Sequence, residues 1–203
     1  MRVRFATSNP HKLREAREIL EPAGLTVEGL DPAVGVPEPV EDADTFEGNA
    51  RLKAVGYARA LGDRCLAEDS GLEVDALGGA PGVRSARYAG TTGTRDERDR
   101  ANNDRLLAAL RGVPAADRTA RFVCAVCVAD PDGTIVAEAR GTYEGRVADA
   151  PRGAGGFGYD PLLYLPDVGC TSAELTPAAK NARSHRSAAL RALVPLLLGA
   201  RRG

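Results

Sequence analysis

Tryptophan is absent from this 203-residue chain, and histidine, cysteine and lysine are scarce. Two histidines are too few for a multi-histidine metal site. The formal net charge of -1 indicates no large basic face for nucleic acid. No apolar run approaches the roughly 18 residues of a membrane span, and the stretch at residues 1–7 is too short for a signal peptide and is interrupted by Arg2 and Arg4. We therefore expect a cytoplasmic protein that binds neither nucleic acid nor membranes.

The four cysteines give little support to redox or zinc chemistry. Only Cys124 and Cys127 have the C-x-x-C spacing that could suggest either. This pair lies in a β-rich run, and no second pair completes a tetrahedral site. We expect buried, reduced cysteines in a strand.

The pattern of apolar residues predicts an α/β protein. Hydrophobic and charged fractions of 43% and 27% are those of an ordinary globular protein, so we expect a single domain over residues 1–203. The predicted elements are a strand at 3–7, a helix at 10–22, a strand at 25–30, a loop at 31–44, a helix at 45–61, a strand at 65–67, a loop at 68–71, an apolar run at 72–77, a helix at 94–111, hairpin strands at 121–130 and 134–147, and a last helix at 184–198 that Pro195 can kink. The sheet is expected to be mixed, with the hairpin in a second lobe.

Arginine replaces lysine at almost every position that needs a positive charge, which singles out the three lysines, Lys12, Lys53 and Lys180. A compact ammonium and a planar guanidinium are not interchangeable where a phosphate must be reached. The three positions therefore invite a specific explanation, with chance as the alternative.

The segment from Thr7 to Lys12 lies where a strand hands over to a helix. Free N–H groups and the helix dipole favour a phosphate at such a place, and Lys12 could add a positive charge. The structural alternative is that Asn9 caps the helix and Pro10 occupies its first position.

An acid-rich stretch precedes the second predicted helix and includes Glu41. Its oxygens could bind a hard cation such as Mg²⁺. Asn49 and Lys53 are four residues apart and share a face of that helix. The alternative is a structural start, in which Asp44 and Glu47 approximate a capping box.

Two acids followed by Ser70 and Gly71 come directly after the predicted strand at 65–67. Carboxylates at a strand end are well placed for a ligand in α/β proteins. Such a carboxylate, Glu68 or Asp69, could hold a metal or take a proton from an attacking water. A plain turn with two exposed acids is the competing interpretation.

A glycine-rich stretch carries two of the few aromatic residues, Phe157 and Tyr159, and leads into Asp160. Paired aromatics in one loop suggest a platform for stacking a base. The alternative is that both rings are buried beneath the loop. Further along, residues 180–186 place basic and imidazole donors at the start of the last helix, where they could meet phosphate or could simply be solvated.

The order of these segments closely resembles the Ham1-like inosine triphosphate pyrophosphatase family over nearly the whole chain. All three lysines fall within the matching motifs. Those motifs are TSNxxK at 7–12, TFxxNA at 45–50 with Lys53, DSGL at 69–72, GGxPG at 78–82, SARY at 85–88, GFGYD at 156–160 and KNxxSHR at 180–186.

This resemblance implies an elongated mixed sheet with flanking helices that form two lobes around a central cleft. It implies a Mg²⁺-dependent homodimer that clears ITP, dITP and XTP from the nucleotide pool, releasing the monophosphate and pyrophosphate. Asp69 would be the metal-linked catalytic carboxylate, with Glu41 as the candidate second metal ligand. The implied substrate contacts are Thr7, Ser8, Asn9, Pro10, His11, Lys12, Lys53, Ser70, Phe157, Gly158, Tyr159, Asp160, Lys180, His185 and Arg186.

Charge then suggests a mechanism for such an enzyme. Phosphoryl transfer depends on positioning and on neutralising negative charge, so Mg²⁺ and the three lysines would share the triphosphate while water attacks in line. Asp69 would hold the metal or activate the water. A carboxylate on Mg²⁺ is a poorer base, so both roles stay open.

The choice of base follows from hydrogen-bond chemistry. A 6-oxo purine offers an N1–H donor and an O6 acceptor, whereas adenine offers the reverse. We expect Asp160, or a backbone carbonyl beside it, to accept N1–H, Arg186 or His185 to donate to O6, and Phe157 to stack on the ring. Two other functions stay open: a pyrophosphatase for other modified or pyrimidine triphosphates, and a nucleotide-binding regulator without catalysis.

Overall fold

The computed structural model describes residues 1–31 and 35–199. Residues 32–34 of the predicted loop at 31–44 lie outside the described part. The strands are β1 (Arg2–Phe5), β2 (Thr26–Gly29), β3 (Cys65–Val74), β4 (Thr119–Ala129), β5 (Ile135–Val147), β6 (Leu163–Leu165) and β7 (Cys170–Thr171). The helices are α1 (Pro10–Leu20), α2 (Phe46–Leu61), α3 (Arg95–Ala109), α4 (Pro177–Arg183) and α5 (His185–Gly199).

The strands form one mixed sheet in the order β2-β1-β3-β4-β5-β6-β7. β1 runs parallel to β2 and β3, with Val3 opposite Val27 and Arg4 opposite Cys65. β6 is antiparallel to both β5 and β7. The predicted α/β class with a mixed sheet and flanking helices is confirmed.

The chain divides into two compact units, and β3, β4 and β5 contribute residues to both. The first unit comprises residues 1–69 and 124–141 and the stretch from His185 onward; the second comprises residues 70–123 and 142–184. Each unit has its own apolar core. In the first, side chains of β1, β3 and β4 pack with α1 and α5. In the second, Leu106 of α3 and Leu110, which follows this helix, pack with residues of β4, β5 and β6.

Side-chain caps explain where three helices begin. Asn9 accepts a hydrogen bond from the His11 N–H at 2.9 Å, with Pro10 as the first residue of α1. Thr45 caps α2 by accepting from the Gly48 N–H at 3.0 Å. The capping box proposed for Asp44 and Glu47 is therefore wrong. Thr94 and Glu97 form a capping box at the start of α3, which confirms the helix predicted there.

The loop predicted at 68–71 is wrong, because these residues lie within the continuous strand β3. β3 lies between β1 and β4 in the sheet, and two neighbours can pair its backbone groups despite the polar side chains. The predicted apolar run at 72–77 ends in a short 3-10 helix, Asp75–Leu77. α4 was not predicted as a separate helix, and α5 continues through Pro195.

Cys124 and Cys127 are buried free cysteines within β4, as predicted. Burial raises the pKa of Cys127 to about 12, so its thiol stays protonated and is a poor nucleophile. Among the helices of the described residues, none combines the length and apolar character needed to cross a bilayer.

Candidate functional site

In the first unit, the ammonium of Lys53 lies between two carboxylates. Its Nζ atom is 3.2 Å from Glu41 Oε1 and 3.3 Å from Asp69 Oδ1. Asn49, one turn earlier in α2, donates from its amide to Asp69 Oδ2 at 3.2 Å. The Asn49 side-chain oxygen accepts from the Ala43 N–H at 3.0 Å, which ties the loop carrying Glu41 to the same helix. The helix spacing predicted to bring Asn49 and Lys53 to one ligand therefore brings both to Asp69.

Asp69 is held in an environment that disfavours its charge. The side chain is only 13% exposed, and this burial raises the pKa of Asp69 above the usual aspartate value. Lys53 and Asn49 act in the opposite direction, while the nearby charge of Glu41 adds to the rise. A perturbed carboxyl beside a specific charged partner is typical of functional sites.

A second network in the first unit surrounds Glu68, which is 5% exposed. The guanidinium of Arg186 donates to both Glu68 oxygens, at 2.8 Å from Nε and 3.0 Å from Nη2. Its third nitrogen donates to Glu15 at 2.8 Å. Lys12 Nζ lies 2.9 Å from Glu68 Oε1. Arg186, only 4% exposed, thus bridges two acids, one of which also binds a lysine.

The charges of this network keep each other ionised. Burial alone would raise the pKa of Glu68, but Arg186 and Lys12 outweigh it, and the pKa lies well below the usual glutamate range. Likewise, burial alone would lower the pKa of Arg186, but Glu68 outweighs that effect. Consecutive strand residues point to opposite faces of a sheet, so Glu68 and Asp69 can belong to two different networks.

The junction of β1 and α1 confirms the cap interpretation of its sequence, and phosphate binding there stays a prediction. Thr7 accepts from the Asn9 N–H at 3.1 Å, and Asn9 with Pro10 starts the helix. Ser8 and His11 are exposed there. Lys12, in the first turn of α1, extends its ammonium to Glu68. At the start of α5, His185 is buried next to Arg186.

In the second unit, Asp160 holds the loop that carries Phe157. Asp160 is 2% exposed. Its oxygens accept from the Phe157 N–H and from the Ser172 hydroxyl, each at 2.8 Å, and it pairs with Lys180. Gly156 has φ +75°, and a Cβ there would lie 2.1 Å from Asp160 Oδ2. Only glycine therefore fits this close approach.

The two rings of the loop have different environments. Tyr159 is buried, and its hydroxyl donates to the Ser85 carbonyl at 2.9 Å. Phe157 is 42% exposed, with Lys180 Nζ 5.0 Å from its ring centroid. The stacking interpretation thus fits Phe157, and the buried alternative fits Tyr159. Ser70 is partly buried in β3.

Some residues of these networks were not singled out from the sequence. Glu15 lies three residues after Lys12 on α1, a spacing that places both on one helix face and could have indicated the pair. Asp99 and Asn103 contact Gly158 in the loop, at 2.8 and 3.1 Å. Their spacing of four on α3 was the available signal.

The fold and these clusters define a class of protein. It is an α/β protein with a mixed sheet, and carboxylates and lysines lie together at β3, one of the inner strands of that sheet. The model of the Ham1 family matches residues 3–196, and this chain belongs to that family.

Relatives and solved structures agree with this assignment. A dITP/XTP pyrophosphatase of Nitratidesulfovibrio vulgaris is 50% identical over 194 residues, which cover 95% of this chain and 93% of the relative. One from Nocardia farcinica is 50% identical over 200 residues, or 97% and 94%. The structure of a HAM1 protein from Coxiella burnetii superposes with a TM-score of 0.88 at 37% identity, covering 98% of this chain and 99% of that one. The structure of a nucleoside-triphosphatase, a dITP/XTP pyrophosphatase, from Mycobacterium abscessus has a TM-score of 0.76 at 41% identity, with coverage of 97% and 100%.

Proposed function

We propose that this protein hydrolyses non-standard purine nucleoside triphosphates, namely ITP, dITP and XTP, to the monophosphate and pyrophosphate. The observation that carries the proposal is the cluster in which Lys53 contacts both Glu41 and Asp69. It supplies a cation for phosphate and paired carboxylates of the kind that catalyse hydrolysis. The relatives named dITP/XTP pyrophosphatase support the choice of substrate.

The chemistry of the donor set fits magnesium. Glu41 and Asp69 direct oxygens at one point, the Lys53 nitrogen, and oxygen is the ligand that Mg²⁺ prefers. Mg²⁺ keeps several waters, so one or two protein carboxylates suffice. No cluster of three or more histidine, cysteine or acidic residues suited to a metal occurs within 1–31 and 35–199. A bound Mg²⁺ would neutralise the triphosphate and orient it for attack.

The chain's own residues supply the remaining chemistry. Lys53 places a positive charge within 3.3 Å of Asp69, where it can stabilise negative charge that develops on the phosphate. Burial raises the pKa of Asp69 and favours it as a proton acceptor, whereas a bound Mg²⁺ would lower that pKa, so the roles of base and metal ligand both stay open. Asn49 orients Asp69 through its amide. Lys12, held by Glu68, provides a second ammonium for phosphate.

For base recognition, we keep Phe157 as the stacking ring because its side chain is exposed. Asp160 already accepts from Phe157 and Ser172 and pairs with Lys180. A backbone carbonyl beside Asp160 is therefore the better acceptor for N1–H. Arg186 or His185 stays the expected donor to O6, and Arg186 already donates to Glu68 and Glu15.

The test is pyrophosphate release from a panel of nucleotides. With MgCl₂ we expect turnover of ITP, dITP and XTP and much slower turnover of ATP, dTTP and dUTP. EDTA should abolish it. Asp69→Asn should lower kcat/KM for ITP roughly a hundredfold or more, because it removes a charge that acts on the reacting group. Asp42→Asn, an exposed aspartate next to Glu41, is the matched control and should leave the rate unchanged.

Three outcomes would contradict the proposal or its parts. Equal turnover of dTTP or dUTP would favour a pyrimidine or general pyrophosphatase. Nucleotide binding without pyrophosphate release would favour a regulator. Full activity in EDTA would remove magnesium from the proposal. The homodimer and the cytoplasmic location stay predictions, the first of which light scattering against a chain mass of 21.2 kDa would test.

A further inference from the structure

One face of α3 contacts the loop that carries Phe157. Arg95, Asp99 and Asn103 follow one another at intervals of four, so they lie on the same side of the helix. Asp99 Oδ2 accepts from the Gly158 N–H at 2.8 Å, and Asn103 Nδ2 donates to the Gly158 carbonyl at 3.1 Å. The guanidinium carbon of Arg95 lies 4.7 Å from the centroid of the Phe157 ring.

These contacts act on a glycine, the residue type whose backbone is least restrained by its own side chain. Gly158 has φ +61° and no atom within 4 Å of a Cβ position. Glycine loses more backbone freedom on ordering than any other residue. Asp99 and Asn103 hold both of its backbone polar groups at once. They therefore fix the two peptide groups on either side of Gly158, the first of which follows Phe157.

The exposed ring cannot be oriented by burial alone, since 42% of Phe157 is open to solvent. On the N-terminal side of Phe157, its own backbone N–H donates a hydrogen bond to Asp160. The α3 face holds the next residue, and Arg95 contacts the ring itself as a cation over an aromatic face. Backbone and ring are thus restrained together.

We propose that the α3 face formed by Arg95, Asp99 and Asn103 is a positioning element that presents the Phe157 ring to the purine. This inference rests on the proposed function, in which Phe157 stacks on the base. Asp99 and Asn103 act through Gly158 and are positioning residues, whereas Arg95 touches the ring. Loss of the element should weaken base binding and leave phosphate chemistry intact, because stacking on the base is made equally in the ground state and the transition state and its loss then raises KM without changing kcat.

Steady-state kinetics with ITP test the proposal through Asp99. Asp99→Ala should raise KM about tenfold, since it removes a hydrogen bond to a charged acceptor, with little change in kcat. Asp99→Asn should restore most of the loss, because its amide oxygen can still accept from Gly158. Asp104→Ala, an exposed aspartate on the same helix, is the matched control and should change neither constant.

Asn103→Leu separates positioning from folding. Asn103 Oδ1 is buried and has no hydrogen-bond partner within the described part of the chain, so a leucine of similar volume removes an unsatisfied acceptor. The partly exposed Gly158 carbonyl can then bond to water. We expect an unchanged or higher Tm together with a KM raised about threefold. Arg95→Ala should raise KM by a similar factor, and exposed Arg100→Ala should not.

Two further measurements isolate the ring. Inorganic tripolyphosphate lacks a base, so its inhibition constant should be the same in the wild type and in Asp99→Ala. The chain has no tryptophan, so Phe157→Trp provides a unique fluorophore at the ring position. In that background, Asp99→Ala should increase quenching by acrylamide and Asp104→Ala should not.

An unchanged KM in both Asp99→Ala and Asn103→Leu would overturn the proposal. So would an equal loss of tripolyphosphate affinity, or a failure of Asp99→Asn to restore binding. If the wild type does not hydrolyse ITP, the proposed function fails instead. Quenching without nucleotide then still decides whether the α3 face fixes the ring.

Discussion

The candidate residues of the first unit contact one another through charged side chains, whereas those of the second mainly hold the backbone of one loop. Around Glu68 and Asp69, five of the contacts join a lysine or arginine to a carboxylate directly. Around Phe157 and Gly158, the acceptors and donors of Asp160, Asp99 and Asn103 bond to peptide groups. The first arrangement suits binding of charged phosphate, and the second suits presentation of a flat ring. Charge removal should therefore affect the first unit most, and loss of single hydrogen bonds should have smaller effects in the second.

Lys53→Met should have the largest effect, because it leaves Glu41 and Asp69 facing each other without their cation. We expect kcat/KM for ITP to fall roughly a hundredfold or more. Arg59→Met, an exposed cation on the same helix, should have no effect on activity. Retention of wild-type activity by Lys53→Met would contradict the claim that charge removal in the first unit has the largest effect.

The same variant should show a stability loss that depends on pH. Lys53 lowers the pKa of Asp69, so its removal moves the already raised pKa of the folded state further above that of the unfolded chain. The resulting cost is absent below the unfolded pKa and grows as pH rises through the folded pKa. The Tm difference from the wild type should therefore be wider at about pH 7 than at about pH 4. A difference that does not depend on pH would contradict this sign.

Glu68→Gln should destabilise the first unit by about 3 kcal/mol, which is the lower end of the range for a broken buried ion pair. The lower end applies because Arg186 retains its ion pair with Glu15 in the variant. The control is Glu138→Gln, which breaks an exposed pair with Arg51 and should cost less than about 1 kcal/mol. Urea unfolding measures both values. Equal effects would mean that burial does not distinguish the two networks.

Asp160→Asn should cost about 2 kcal/mol, because one oxygen that accepts charge-assisted hydrogen bonds is lost. The control is Asp167→Asn, which removes the negative charge of an exposed ion pair with Arg183 and should change stability by less than about 1 kcal/mol. The comparison is by urea unfolding. A larger loss of unfolding free energy in Asp160→Asn than in Glu68→Gln would contradict the expectation that charge removal destabilises the first unit more than the second.

Tyr159→Phe should have the smallest effect, at most about 1 kcal/mol. The hydroxyl donates to the Ser85 carbonyl, but Asn102 donates to the same carbonyl at 3.2 Å and remains in the variant. Burial raises the pKa of Tyr159, so the phenol stays protonated near neutral pH. A loss well above this value in thermal unfolding would show that the Tyr159 hydroxyl, and not Asn102, is the main partner of the Ser85 carbonyl.

Features that depend on neighbouring residues were predictable from the sequence, whereas those that depend on distant segments were not. The caps at Asn9 and Thr94 depend on residues only a few positions away, so the starts of α1 and α3 were predictable. The loop predicted at 68–71 was wrong because the conformation there depends on β1 and β4, which are remote in the chain. The pairing of Lys53 with Asp69 followed partly from helix spacing. The engagement of Arg186 with Glu68 spans 118 positions and had no local signal.

Local sequence by itself determined the class of fold, the motifs of the Ham1 family and the positions of the three lysines, since all of these depend on residue identity and short spacing. Tertiary structure alone decided which carboxylate each lysine meets and which aromatic ring is buried. It also decided that Arg186 holds two acids and that α3 supports the Phe157 loop. Burial and long-range charge pairing set these choices, because desolvation changes the energy of a charge only once distant segments of the chain have packed around it.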